Sequence, residues 1–255
     1  MAALLAAHLQ ALAPSLAKQI TMLRAKLTKL SKSEAEDAAA RALAEEILAQ
    51  LNLGDWATLI PELQQLLLVV AEDGIRVAFG QLGVTPTAEI TEQVNEKAVA
   101  WATERAAELV GMRYEADGSL VENPNAEWAI SATTREQLRG DVVRAIEDGT
   151  STDDLAAQLE GSYGFSADRA ETIARTELAA ADIEGNLTAY RDSGVVGGKM
   201  VVLGSEHDDA SECDCNDAAA LGVVDIDDDF DGLGDPPYHP NCVCDVVPVL
   251  TSEMD

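Results

Sequence analysis

The sequence predicts an α+β protein. Its N-terminal half is mainly helical, and a module of helix plus small antiparallel sheet, carrying a Cys/His cluster, follows. Three observations lead there. Apolar residues recur every three or four positions through long stretches before Ser193, the period of a helix with one buried face. After Ser193-Gly194 the pattern turns to short β-branched runs. All four cysteines fall in the last 43 residues.

Leu5, Leu9, Leu12, Leu16, Ile20, Leu23, Leu27 and Leu30 form one helical stripe. Pro14 is expected to interrupt it and start a fresh helix, because proline suits a first turn and disrupts an interior. Lys18, Arg24, Lys26, Lys29 and Lys32 lie mostly off the stripe. Residues 1–33 therefore read as a basic amphipathic helical arm. Such an arm docks on an acidic partner or on packaged DNA, or else is an ordinary packed or self-associating helix. Ser33-Glu-Ala-Glu36 is a capping box, and Asn52-Leu-Gly54 resembles the stop of the helix it opens. Pro61 to Leu82 reads as a largely buried helix ended by Gly80 or Gly83. Thr87 caps a further helix reaching Val110. Asp117-Gly118 and Asn123-Pro124-Asn125 are turn chemistry joining two parts of the molecule. Residues 34–126 are expected to form a helical region, and 127–255 the α+β domain.

In that domain Thr133 to Glu136 is another capping box, with Leu138, Val142 and Ile146 following at four-residue steps. Thr150 to Thr152 caps a short helix. Ser166 caps a long one with Ala170, Ile173, Ala174, Leu178 and Ala181 inside. Lys199 to Leu203, Val223 to Ile226 and Cys242 to Val249 are the expected strands.

The 46 acids and 17 bases leave a net charge of −29. That argues against a general nucleic-acid coat, since phosphate binding needs basic surface. The charge is uneven. Residues 1–33 carry five bases and no acid, whereas residues 200–255 carry 15 acids and no base. Only six bases are lysine. An acid-rich, lysine-poor surface keeps a protein hydrated in concentrated salt, where self-repulsion is screened. A halophilic source is one explanation and a high-GC genome the other. No segment approaches the roughly 20 apolar residues of a membrane span. Met1 to Pro14 lacks the basic flank of a secretory signal, so a chain without classical export is expected.

The cysteines carry the sharpest signal. Cys213-Asp-Cys215 and His239-Pro-Asn-Cys242-Val-Cys244 are two clusters joined by a loop. Two short ligand pairs across a loop is how a tetrahedral structural zinc site is built, because thiolate and imidazole match zinc's preferences. Cys213, Cys215, His239, Cys242 and Cys244 are five candidates for four positions, and His207 adds a sixth. Disulfides between the clusters, or buried reduced thiols, are the alternatives.

Asp227, Asp229 and Asp231, followed by Gly232, resemble the start of a calcium loop, in which alternating carboxylates converge on a hard cation. Position twelve is Tyr238 instead of Glu, and Pro236-Pro237 follows instead of a helix. A solvated acidic loop is the alternative to a calcium or other cation site. There is no P-loop, no G-x-S-x-G and no H-E-x-x-H. No enzyme is therefore expected. The alternative is a metal-dependent hydrolase built on the His, Cys and Asp cluster. Arg175-Thr176-Glu177 reads as a helix-surface ion-pair set or an inter-subunit contact.

Arg169-Ala170, Ile173-Ala174-Arg175-Thr176-Glu177, Gly185, Tyr190 and Ser193-Gly194-Val195 come first, followed by a strand. Cys213 and Cys215 come next. The series closes on Pro236-Pro237-Tyr238-His239-Pro240-Asn241-Cys242-Val243-Cys244 and Pro248-Val249-Leu250. In this combination and order, the sequence resembles the Mu F-like minor head protein family of tailed phages, also called the head morphogenesis family. The resemblance covers residues 130 to 250. It departs at Val243, where the family commonly has arginine. It departs also at the one-residue spacing of Cys213 and Cys215, where C-x-x-C is common, and in the aspartate-rich stretch from Asp225 to Asp235. The resemblance implies a virion structural protein, present in several copies around the portal and in contact with other capsid proteins. It implies a place in the capsid interior or at the portal vertex, reached from the host cytoplasm during assembly. In some family members it extends to DNA delivery. Here any DNA contact would run through residues 1–32, and the host would be halophilic if the charge is read that way.

Overall fold

The computed structural model describes residues 1–27, 42, 45–47, 49–50, 55–126, 129–148, 152–207 and 214–254. The capping box at Ser33 to Glu36, the stop at Asn52 to Gly54 and Cys213 lie outside these residues. The chain divides into two compact units. One comprises residues 1–60 and 107–171, the other 61–106 and 172–255. The class is α+β, with long helices first and the antiparallel strands mainly late.

The first unit begins with α1, Ala2–Leu27. Its apolar stripe is used internally: Leu5, Leu9, Leu16 and Ile20 are buried together with Ala13 and Ala17. The expected break at Pro14 does not occur, and the proline sits inside one continuous helix. Pro14 lies on the exposed face, as does Gln10, whose carbonyl loses its helical partner. Water can satisfy that carbonyl, while burial of the stripe on both sides of the proline holds the helix together.

Helices α2 (Ile60–Leu82) and α3 (Ala88–Leu109) follow. The Thr87 hydroxyl accepts from the Ile90 N–H, as its capping role requires. The stretch expected as a loop around Asp117-Gly118 is a small hairpin, β1 (Met112–Tyr114) pairing antiparallel with β2 (Leu120–Glu122). Each strand has only three residues, too few for alternation to show.

Helix α4 starts at Ile130, not at the Thr133 box, and runs to Glu147. Thr133 and Thr134 have another use, since both receive hydrogen bonds from the buried Arg169 guanidinium, at 2.7 and 2.9 Å. Arg169 also donates to the carbonyls of Gly164 and Ile130. Burial pulls the Arg169 pKa below its ordinary value, and four oxygens replace the lost water. Helix α5, Thr152–Glu160, lies along α1. Helix α6, Ala167–Asp192, is capped by Ser166, whose hydroxyl accepts from the Arg169 N–H at 3.1 Å.

The second unit holds the sheet. β3 (Val196–Val202) is central, with β4 (Val224–Asp225) on one side and β5 (Asp245–Leu250) on the other, both antiparallel. The short helix α7, Asp214–Ala220, precedes β4 and carries no sequence signal long enough to announce it. Ile75 and Phe79 of α2, Val94 of α3, Ile183, Leu187 and Tyr190 of α6, and Val201 and Val246 of the sheet share one core with Cys215, Cys242 and Cys244. Helices α2 and α6 approach so closely that a Cβ on Gly185 would lie 2.2 Å from the Ala71 carbonyl oxygen.

Candidate metal centre

The register of the sheet builds this site. Val202 pairs with Asp245, so the chain leaving β3 runs beside the chain entering β5. Gly204 permits the approach, because a Cβ there would lie 2.2 Å from the Val243 carbonyl oxygen. His207 arrives on the first stretch, with its N–H donating to the Gly204 carbonyl. Cys242 and Cys244 arrive on the second. Between His239 and Cys242 the chain makes a tight turn, with the Cys242 N–H on the His239 carbonyl and Asn241 at φ 59°, a conformation asparagine tolerates better than most residues. Cys215 is supplied by α7.

Two triads result. The donor atoms of His207, Cys215 and Cys244 lie within 4.8 Å of one another, as do those of Cys215, His239 and Cys242. Cys215 belongs to both. The Sγ atoms of Cys215 and Cys242 are 3.6 Å apart, and Cys244 Sγ is 3.5 Å from His207 Nδ1. All three of these cysteines are free thiols and buried. Burial pushes the Cys244 thiol above its ordinary pKa, against the pull of the Gly204 backbone. A bound cation would reverse that preference by stabilising thiolate. Each histidine has one ring nitrogen engaged: His207 Nε2 lies 3.1 Å from Asn216 Oδ1, and His239 Nδ1 lies 2.9 Å from the Pro240 carbonyl. Fixing one ring nitrogen orients the other, which is how metal-binding histidines are held. A His/Cys group able to hold a metal ion is therefore present. It draws on Cys215, His239, Cys242 and Cys244 of the five predicted candidates and on His207, the sixth.

The aspartate loop is arranged differently. Asp227, Asp229 and Asp231 are not among the groups whose donor atoms gather within 4.8 Å. Asp229 accepts from the Gly232 N–H at 2.7 Å, closing a turn with Asp231 at φ 56°. Asp227 lies 3.7 Å from the Arg191 guanidinium. Asp235 lies 3.8 Å from Arg191 and 2.6 Å from the buried Lys199 ammonium, which also faces the Phe230 ring. Cations supplied by the protein itself thus pin the two ends of this acidic loop.

The Arg-Thr-Glu stretch on α6 is not a surface set. Thr176 and Glu177 are buried. The Glu177 carboxylate receives two 2.8 Å hydrogen bonds from the Arg105 guanidinium, the strong bidentate form. Thr176 Oγ1 accepts from the Asn241 N–H at 3.0 Å, and Asn241 Nδ2 reaches Thr172 Oγ1 at 3.4 Å. The two halves of the sequence motif, on α6 and in the His-Pro-Asn-Cys turn, meet in space.

Residues 136–247 match the family model described as Phage Mu protein F like protein. No curated protein and no solved structure matches the chain.

Proposed function

Because residues 136–247 belong to the phage Mu F-like head protein family, we propose that this chain is a minor head protein of a tailed virus. It associates with the portal vertex and assists head assembly and genome packaging or delivery. The observation that carries this reading is the hydrogen-bonded meeting of the Arg-Thr-Glu helix and the His-Pro-Asn-Cys turn inside the matched segment. Elements that define the family in sequence support one another in the fold. Residues 136–247 carry the family likeness, and the residues before them supply the chain's own partner contacts.

The role is structural and not catalytic. Zinc, bound by the Cys/His cluster, holds the late segments of the second unit together, since metal binding contributes directly to the folding of a small module. The apolar face of α1 is occupied within its own unit. Contact with an acidic portal surface or with DNA therefore falls to the polar face, where Lys18 is exposed. The acidic remainder is repelled by packaged DNA and stays at its periphery.

Co-expression with the portal protein of the same virus tests this. Co-sedimentation of the two, weakened when residues 1–32 are deleted, is the expected result. A chain that sediments alone, and is absent from purified heads, would refute it.

A further inference from the structure

We infer that the side chains of Lys199 and Asp235 condense to an intramolecular isopeptide bond, with loss of one water. The Lys199 ammonium lies 2.6 Å from Asp235 Oδ1, and the lysine side chain is only 1% exposed. It faces the buried Phe230 ring, 5.3 Å from the ring centre. Both partners are held in place. Lys199 sits mid-strand on β3, paired with Val224 of β4 and Pro248 of β5. The chain at Asp235 is tied down by the Tyr238 hydroxyl, which donates to the Gly234 carbonyl at 3.1 Å. An amine and an acyl carbon fixed at contact distance react as if each were present at very high concentration. Lys97 and Asp192 give the contrast. They lie 2.7 Å apart, but the Lys97 side chain is 45% exposed, so this pair stays an ion pair.

Burial turns the ion pair toward reaction. In water, ammonium and carboxylate resist condensation because both are strongly hydrated. At Lys199 that hydration is lost, and a neutral amide is cheaper to bury than two charges. The surroundings favour uncharged groups: burial holds the Glu184 carboxyl, which feels Arg191, Asp235 and Lys199, above its ordinary pKa. The step balances within the pair. Lys199 passes one proton to Asp235 Oδ1, and the freed Nζ lone pair adds to Cγ. Arg191, 3.8 Å from Oδ2, faces the oxygen on which negative charge gathers. The bond from Cγ to Oδ1 then breaks, and Oδ1 leaves as water with a second proton from Nζ. One N–H and one C=O remain. The product ties the middle of β3 to the end of the acidic loop, closing a covalent ring that contains α7 and β4.

The test is mass spectrometry of the full chain, purified folded and then denatured. The wild-type chain is expected to be lighter than its sequence by the mass of one water. Lys199→Arg, which keeps a cation beside Asp235, and Asp235→Ala are expected at their full sequence masses. Trypsin locates the bond. Residues 200–255 contain no lysine or arginine, so an unlinked chain yields 192–199 and 200–255 as separate peptides. The linked chain yields 192–255 in one piece, one water light, while cleavage after Lys97 proceeds normally. This digest needs only the wild-type chain, so a variant that fails to fold does not blunt it. A wild-type chain at full sequence mass, cleaved after Lys199, would overturn the proposal. So would a water loss that persists in Lys199→Arg, which would place it elsewhere, as in ring closure at Asp231-Gly232.

Discussion

The backbone N–H of Asn241 donates to Thr176 Oγ1 at 3.0 Å, across 65 residues of sequence. Thr176 is buried on α6, and Asn241 stands directly before Cys242, one of the candidate metal ligands. Thr176→Val keeps the shape and removes the acceptor. Leaving a partly buried donor unpaired costs about 1–3 kcal/mol. Thermal or denaturant unfolding is expected to show that loss, together with weaker Co²⁺ binding through the loosened turn. A Val variant as stable as wild type would mean that water replaces the hydroxyl.

Gly185 and Gly80 make a matched pair. A Cβ at Gly185 would meet the Ala71 carbonyl oxygen at 2.2 Å, a backbone atom that cannot swing aside, whereas one at Gly80 meets nothing within 4 Å. Gly185→Ala is expected to cost roughly 1–3 kcal/mol or more by forcing α2 and α6 apart. Gly80→Ala, on an open helix face, is expected to gain about 0.4–1 kcal/mol. Denaturant midpoints of the two variants check both signs. Equal effects would contradict the close approach.

Burial pushes the carboxyls of Glu184 and Asp182 above their ordinary pKa, with Asp245 adding to the shift at Asp182. Both then hold protons more tightly in the folded chain than in the unfolded one. Their contribution to stability is present below the unfolded-state pKa and is lost as the pH rises through the folded one. Glu184→Gln and Asp182→Asn remove a carboxylate that is poorly solvated at neutral pH. Each is expected to raise the melting temperature at about pH 7 and to change it little at about pH 4. A gain at acid pH alone would reverse the sign and refute the assignment.

A net charge of −29 repels itself. Screening length falls from about 10 Å at 0.1 M salt to about 3 Å at 1 M. If the acid excess is an adaptation to concentrated salt, the unfolding temperature rises steadily over that range of KCl. A flat response would favour codon bias as the origin of the composition.

Much of the fold was legible because burial imposes a period. The stripe from Leu5 to Ile20 is helical, Thr87 and Ser166 cap the helices they announced, and each β-branched run holds a strand, though with shifted ends: β5 starts at Asp245 and not at Cys242. What was not legible depended on partners distant in sequence. Pro14 reads as a break until α1 is seen buried on both sides of it. Thr133 reads as a cap until Arg169 is found donating to it. Thr176 and Glu177 read as surface until Asn241 and Arg105 are seen to need them. The same holds at the metal centre. Cys215, His239, Cys242 and Cys244 are visible by spacing, but His207 reaches the sulfurs only through the register of β3 with β5, which no local pattern encodes.

The most direct measurement of the central claim is the position of this chain in an intact head, by cryo-electron microscopy of purified particles together with quantitative mass spectrometry. A small fixed number of copies per particle, with density at the portal vertex, is the result expected of a minor head protein. Absence from the particle, or a copy number matching the whole shell, would contradict it.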